Sequence, residues 1–221
     1  MSDQRADDLP DDGRDDGRDD LRDEPDVRRR LLEEAARLLG EEGPSALSTR
    51  RLAREAGTST MAVYTHFGGM PALVREIVAE GFRRLVDRVA AVPVTDDPVR
   101  DLTAVATAYR EHARADPQIY AVMFGSASLG GYRLHDEELD VGLAAFGQLV
   151  DVVRRGMDAG RLRRDDPAAV AGQFWSALHG YVSLELSGFH LVVEDPESQL
   201  LWPMLAHLLE GLSDDAHRSG R

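Results

Sequence analysis

Neither cysteine nor lysine occurs in the 221 residues. Without cysteine there can be no disulfide, no thiolate nucleophile and no cysteine-ligated zinc. Without lysine every one of the 26 basic side chains is an arginine, a usage that suits a GC-rich coding bias as well as any function. Long apolar runs are missing too. Nothing approaches the roughly 18–20 residues needed to span a bilayer, and the N-terminus lacks the apolar core of a secretory signal. A soluble, cytoplasmic protein with no membrane partner is expected. Strand signals are confined to a brief ambiguity over residues 189–193.

Catalytic patterns are equally scarce. His112, His135, His179 and His190 are scattered, without HExxH spacing or an acidic pair that would hold zinc. No phosphate loop or dinucleotide fingerprint occurs. In the small-residue stretch GSASLGGY (125–132), a nucleophile elbow would require glycine where Ser126 stands. The expectation is no enzyme, no cofactor and no metal.

What the chain has in excess is acid, unevenly placed. Its formal charge is −14. Residues 1–26 hold twelve acidic side chains and four arginines, with DDGR repeated and scarcely an apolar residue. Such a segment cannot bury enough surface to offset its ordering entropy, so a disordered arm is expected. Its spacing does not fit a calcium loop. Residues 27–70, by contrast, hold seven arginines and five glutamates and form the one basic segment of an acidic protein.

Within that segment residues 48–67, STRRLAREAGTSTMAVYTHF, read as two short helices around a tight turn. Ser48 is placed to cap the first, on which Leu52, Ala53 and Ala56 recur at helical spacing. Gly57 suits a left-handed C′ position. Ser59 is placed to cap the second helix, where Ala62, Val63 and Phe67 share one side. Thr60, Met61, Tyr64 and Thr65 share the other. Two helices joined by a short glycine turn match a helix-turn-helix, whose second helix enters the DNA major groove.

From about residue 27 to 73 the chain resembles the TetR family of bacterial repressors. The resemblance is carried by AxxLLxxxG, loosely, at 35–43, by LSTRRLA at 47–53, by AGTS at 56–59, and most specifically by VYTHF at 63–67. It implies a ligand-responsive transcriptional repressor, homodimeric, on a near-palindromic operator of double-stranded DNA. Thr49, Arg50 and Arg51 would meet phosphates, as would Tyr64 and His66. Thr60, Met61 and Thr65 would face base edges, where a thymine methyl suits them. One departure stands out: where the family usually has a lysine that grips the backbone, this chain has Met70. With fewer neutralised phosphates the affinity and its salt dependence should fall. The alternative is a helical ligand-binding or interaction protein whose head reads DNA weakly or not at all.

The rest reads as helices over 27–42, 71–91, 99–115, 117–124, 136–159, 167–186 and 196–212. Asp97-Pro98, Asp116-Pro117 and Asp166-Pro167 each look like a cap followed by a first-turn proline. The fold class is all-α with about nine helices. The domains are an acidic arm (1–26), a helix-turn-helix head (27–70), a helical ligand-binding and dimerisation body (71–212) and a frayed tail (213–221). Buried positions expected on the 136–159 helix are Leu139, Leu143, Phe146, Val150 and Val153. Trp175, His179 and Gly180 resemble a C-terminal variant of the same family marked by Trp, then His-Gly. That resemblance implies a small-molecule pocket, for which Tyr109, His112, Met123, Phe124, Phe146, Phe174, Trp175 and His179 are the candidates. It also implies that the last two helices pair with a second copy, with Leu184, Leu201, Leu205 and Leu208 at the contact.

Overall fold

The computed structural model describes residues 20–124, 136–189 and 193–213, which form nine α-helices and no strand. The acidic repeat, the loop expected at 125–132 and the tail beyond residue 213 lie outside the described residues, as do His135, His190 and the side chain of Leu139.

Helix α1 (Asp20–Glu42) begins seven residues before the expected start. Its inner face, Leu31, Ala35, Leu38 and Leu39, is fully buried. Gly43, at φ 80°, ends it, and a single 3-10 turn at Pro44–Ala46 leads into α2 (Thr49–Glu55). Ser48 accepts from the Arg51 amide at 3.3 Å, and Ser59 caps α3 (Thr60–Phe67) through the Ala62 amide at 3.2 Å. Each cap satisfies a donor the helix itself leaves orphaned. At the turn, the Thr58 amide reaches back to the Ala53 carbonyl at 2.8 Å and the Gly57 amide to Arg54 at 3.2 Å. This doubly bonded ending needs a left-handed residue, and Gly57 supplies it at φ 64°.

Helix α4 (Met70–Ala90) starts in the head and runs into the body, about 31 Å at 1.5 Å per residue. Arg28 ties the head together across three helices. Its guanidinium lies 5.4 Å from the centre of the Phe67 ring and 2.7 Å from the Glu76 carboxylate.

The body comprises α5 (Pro98–Ala115), α6 (Pro117–Phe124), α7 (Asp136–Asp158), α8 (Pro167–Leu186) and α9 (Trp202–Gly211). Asp97 and Asp166 cap α5 and α8 as their Asp-Pro pairs predict, with amides at 3.0–3.3 Å. Asp116 instead turns its carboxylate to Arg84 on α4, at 3.2 Å. The last helix is not continuous. A wide π turn over Glu197–Leu201 precedes α9, where Pro203 has no N–H to give to Gln199 and its ring would crowd a regular turn.

One core runs without interruption from Leu31 and Val63 in the head to Phe174 and Leu205 in the body. Helix α6 closes it by packing on α1 and α4. Two expectations change here. Leu143 is 62% exposed rather than buried, because α7 turns that position toward an open cavity mouth. Leu201 and Leu205 sit in the chain's own core, so of the four leucines expected at a contact with a second copy only Leu184 and Leu208 keep exposed surface.

A buried ion pair pins the α4–α5 connection to α7. Asp101 is 3% exposed and accepts from the Thr95 hydroxyl at 2.6 Å and from Arg155 at 2.6 Å. Burial alone would push its carboxyl pKa up, but the hydrogen bonds from Thr95 and Arg155 outweigh it and hold the pKa below the usual value. A depressed folded pKa contributes stability that is present above the unfolded value of about 3.9 and is lost as pH falls through the folded one. Asp101→Asn should therefore lower stability by about 2 kcal/mol at neutral pH, since Arg155 is left partly uncompensated. The difference in urea midpoint from the wild type should shrink below about pH 4.

Candidate functional site

The outer face of α3 is built from the side chains its core face does not use. Val63 is fully buried against the head. A helical turn then carries Thr60, Met61, Tyr64 and Thr65 outward, all exposed, with Met61 69% and Tyr64 55% exposed. An exposed methionine and tyrosine side by side make an unusual surface unless something covers them. His66 stands half-buried beside Phe67, their ring centres 6.2 Å apart.

Charge on this head is mostly spent internally. Of the seven arginines between residues 27 and 70, six stand in ion pairs: Arg28 with Glu76, Arg29 and Arg30 with Asp26, Arg37 with Glu34, Arg51 with Glu42, and Arg54 with Glu55. Arg51 forks onto both Glu42 oxygens at 2.6 and 3.0 Å, so it staples α2 to α1. Arg50 is exposed and enters no ion pair among the described residues. With Thr49 it occupies the first turn of α2, where free backbone amides favour an anion.

The body holds a cavity of about 450 Å³ framed by α4, α5, α6, α7 and α8. Tyr109, Phe124, Phe146 and Trp175 line it, together with Phe82, Leu85 and Val89 of α4 and Leu149 of α7. Among the described residues no charged side chain lines it. The other four candidates lie elsewhere. Phe174 borders a separate cavity between α5, α8 and α9, and His179 one between α1, α6 and α8. Met123 fills the α4–α6 contact, and His112 is buried with its Nε2 unpartnered. Burial pushes the His112 pKa down to about 4, so it is neutral at ordinary pH. Sequence reading missed the α4 residues of the cavity wall, because their helical stripe is indistinguishable from plain core.

At the inner end of the cavity wall stands a compact polar cluster. The Trp175 indole N–H donates to the Tyr109 hydroxyl at 3.3 Å. The Tyr109 and Tyr120 hydroxyls are 3.0 Å apart, and they lie 2.9 and 2.7 Å respectively from the same His179 Nδ1. Ser183 Oγ is 3.4 Å from His179 Nε2. Phe124 seals the cluster, its ring centre 4.6 Å from that of His179 and 4.9 Å from that of Tyr120. Burial lowers the His179 pKa, raises that of Tyr109 to about 12 and raises that of Tyr120 further.

Two family models match. The one described as bacterial regulatory proteins, tetR family, covers residues 31–77, and a tetracyclin repressor-like C-terminal domain covers residues 102–208. An uncharacterized HTH-type transcriptional regulator of Mycobacterium tuberculosis is 29% identical, covering 84% of this chain and 81% of its own. Among solved structures, a candidate regulatory protein, SCO4313, is 30% identical with a TM-score of 0.70, over 86% of this chain and 98% of the other. A TetR family transcriptional regulator from Thermus thermophilus, PfmR, shares the fold at 23% identity, with a TM-score of 0.67 over 83% and 99% of the two chains.

The polar cluster gives an optical test. A hydroxyl whose pKa is pushed up to about 12 contributes less than about a tenth of its phenolate absorbance between about pH 9 and 11, where an ordinary tyrosine ionises. The absorbance change over that interval should be the same in the wild type and in Tyr109→Phe. Loss of one tyrosine's share in the variant would mean that the hydroxyl is open to water.

Proposed function

The chain belongs to the TetR family of helix-turn-helix transcriptional regulators, and from that premise we propose that it is a repressor that grips a near-palindromic operator as a homodimer and is released by a small molecule in the apolar cavity. The observation that carries this reading is the course of α4. Its first turn packs in the head through Leu73, and three turns later Phe82, Leu85 and Val89 line the cavity. A molecule in the cavity therefore touches the helix that sets where α3 stands. It can shift the spacing of two heads only by preferring one conformation of that helix. Operator DNA must then weaken its binding by the same factor.

In this reading Thr60, Met61 and Thr65 meet base edges, while Thr49, Arg50, Tyr64 and His66 meet phosphates. Arg51 acts at one remove, by holding α2 against α1. Two copies would join through α8 and α9, where Leu184 is 54% exposed and Phe189 is 73% exposed. Light scattering should find a dimer at micromolar concentration.

Titration of the protein with genomic DNA fragments over a range of salt tests the head. Arg50→Ala should weaken binding and lower the salt slope by about 0.9 for each phosphate lost. Arg51→Ala should leave the slope nearly unchanged and lower the melting temperature instead. Equal loss of slope in both would place Arg51 on the DNA. A wild-type slope near zero would favour the alternative, a ligand-binding protein with a lapsed head.

The cavity is tested separately. Phe146→Ala and Trp175→Ala should change the response to a releasing ligand more than they change operator affinity in its absence. An unaltered ligand response in both variants would move the pocket elsewhere.

A further inference from the structure

In the polar cluster against the cavity, two tyrosine hydroxyl protons compete for one imidazole nitrogen. Burial favours the uncharged form of His179, and in its tautomer with Nε2 protonated, facing Ser183 at 3.4 Å, the ring offers a single lone pair, on Nδ1. Two hydroxyls compete for it, Tyr120 at 2.7 Å and Tyr109 at 2.9 Å. Only one can donate there. The other is left to donate to its neighbouring tyrosine across 3.0 Å. If Tyr120 takes Nδ1, the Tyr109 proton is held only by the 3.0 Å contact to the Tyr120 oxygen, which the Ser183 hydroxyl also reaches, so it can turn to a ligand at the loss of that one bond. Tyr109 is also the member of the tyrosine pair that lines the apolar cavity.

Resting on the proposal that this cavity is the effector site, we infer that the effector is an uncharged, largely apolar molecule bearing a hydrogen-bond acceptor, which the Tyr109 hydroxyl reads. The described lining carries no charged residue, so an ionised group held inside against Tyr109 would stand unpaired, and an unpaired buried charge costs far more than apolar contacts return. A carbonyl or ether oxygen suits the site better than a purely hydrocarbon surface. It draws the Tyr109 proton into a bond made away from water. Ser176, the other hydroxyl on the described lining, is exposed, so a ligand must compete there with solvent. Tyr120 acts as a positioning residue: by satisfying His179 it frees Tyr109.

Three matched probes test this on the full chain by equilibrium dialysis: 2-acetylnaphthalene, 2-ethylnaphthalene and 2-naphthoate. The wild type should bind the ketone and the hydrocarbon, and bind the carboxylate at least about tenfold more weakly than the ketone. Tyr109→Phe should weaken the ketone by about three- to tenfold and leave the hydrocarbon unchanged, the range expected for one neutral hydrogen bond. Tyr120→Phe should do the same, although Tyr120 is absent from the cavity lining, because His179 then claims the Tyr109 proton. A merely structural role for either tyrosine would weaken both uncharged probes together. The inference is overturned if the carboxylate binds as well as the ketone, if Tyr109→Phe affects ketone and hydrocarbon alike, or if Tyr120→Phe leaves the ketone untouched. Should neither uncharged probe bind the wild type, the cavity itself is not a ligand site, and the inference falls with it.

Discussion

The absence of a side chain at Gly81 is the constraint on which the arrangement depends. A Cβ at that point of α4 would lie 2.8 Å from Ile119 Cγ2 and would also overlap Met123, both on α6. At Gly40, on α1, a Cβ would come within 3.1 Å of the Gln118 backbone. Helix α6 is thus set flush against the two helices that carry the head, with no side chain between to take up slack. Tightly packed contacts of this kind move together rather than deform, so a displacement of α6 is handed to α1 and α4 nearly undiminished. Phe124, at the end of the same helix, faces both the cavity and the Tyr120–His179 cluster.

Electrostatics divides the molecule differently from its core. The head is basic by composition, yet nearly all of its arginines are matched with glutamate or aspartate on the same or the adjacent helix. Exposed pairs of this kind add little stability, because water screens them and two long side chains must be held still. Their larger effect is to fix side-chain directions and to quiet the field of the head. What remains is a local positive point at Arg50 and the free amides of the α2 terminus, next to an exposed Met61 and Tyr64. On the proposed reading, such a surface would rely on fit and on hydroxyl contacts more than on bulk charge.

The helices were legible in the sequence wherever punctuation was chemical. Ser48, Gly57, Ser59, Asp97 and Asp166 each sit at the cap or turn their residue type demands. Patterning failed where tertiary neighbours decide. Asp116 reads as a cap but meets Arg84 across 32 residues of sequence. Leu201 and Leu205 read as a surface seam because their spacing cannot say which helix they face, and the π turn at Glu197–Leu201 shifts the register of everything after it. Half of the proposed pocket residues line the cavity. The rest, His112, Met123, Phe174 and His179, are the same kinds of side chain used for packing or for holding others in place. Composition lists both uses alike; only geometry separates them.

The uninterrupted core has a consequence for folding cooperativity. Leu31, Leu38 and Ile77 of the head share one hydrophobic cluster with Ile119, Val122 and Leu102 of the body. No layer of polar contacts isolates a unit that could open alone. Head and body should therefore melt as one, in a single transition. Any molecule that binds only the folded body lends its binding free energy to the whole, about 2.7 kcal/mol at a hundred times its dissociation constant. Backbone amides of α2 and α3, far from the cavity, would exchange their hydrogens more slowly when it is filled wherever exchange proceeds through that global opening. On the proposed reading, α2 and α3 would thus be kept folded by the same molecule that changes their placement on DNA.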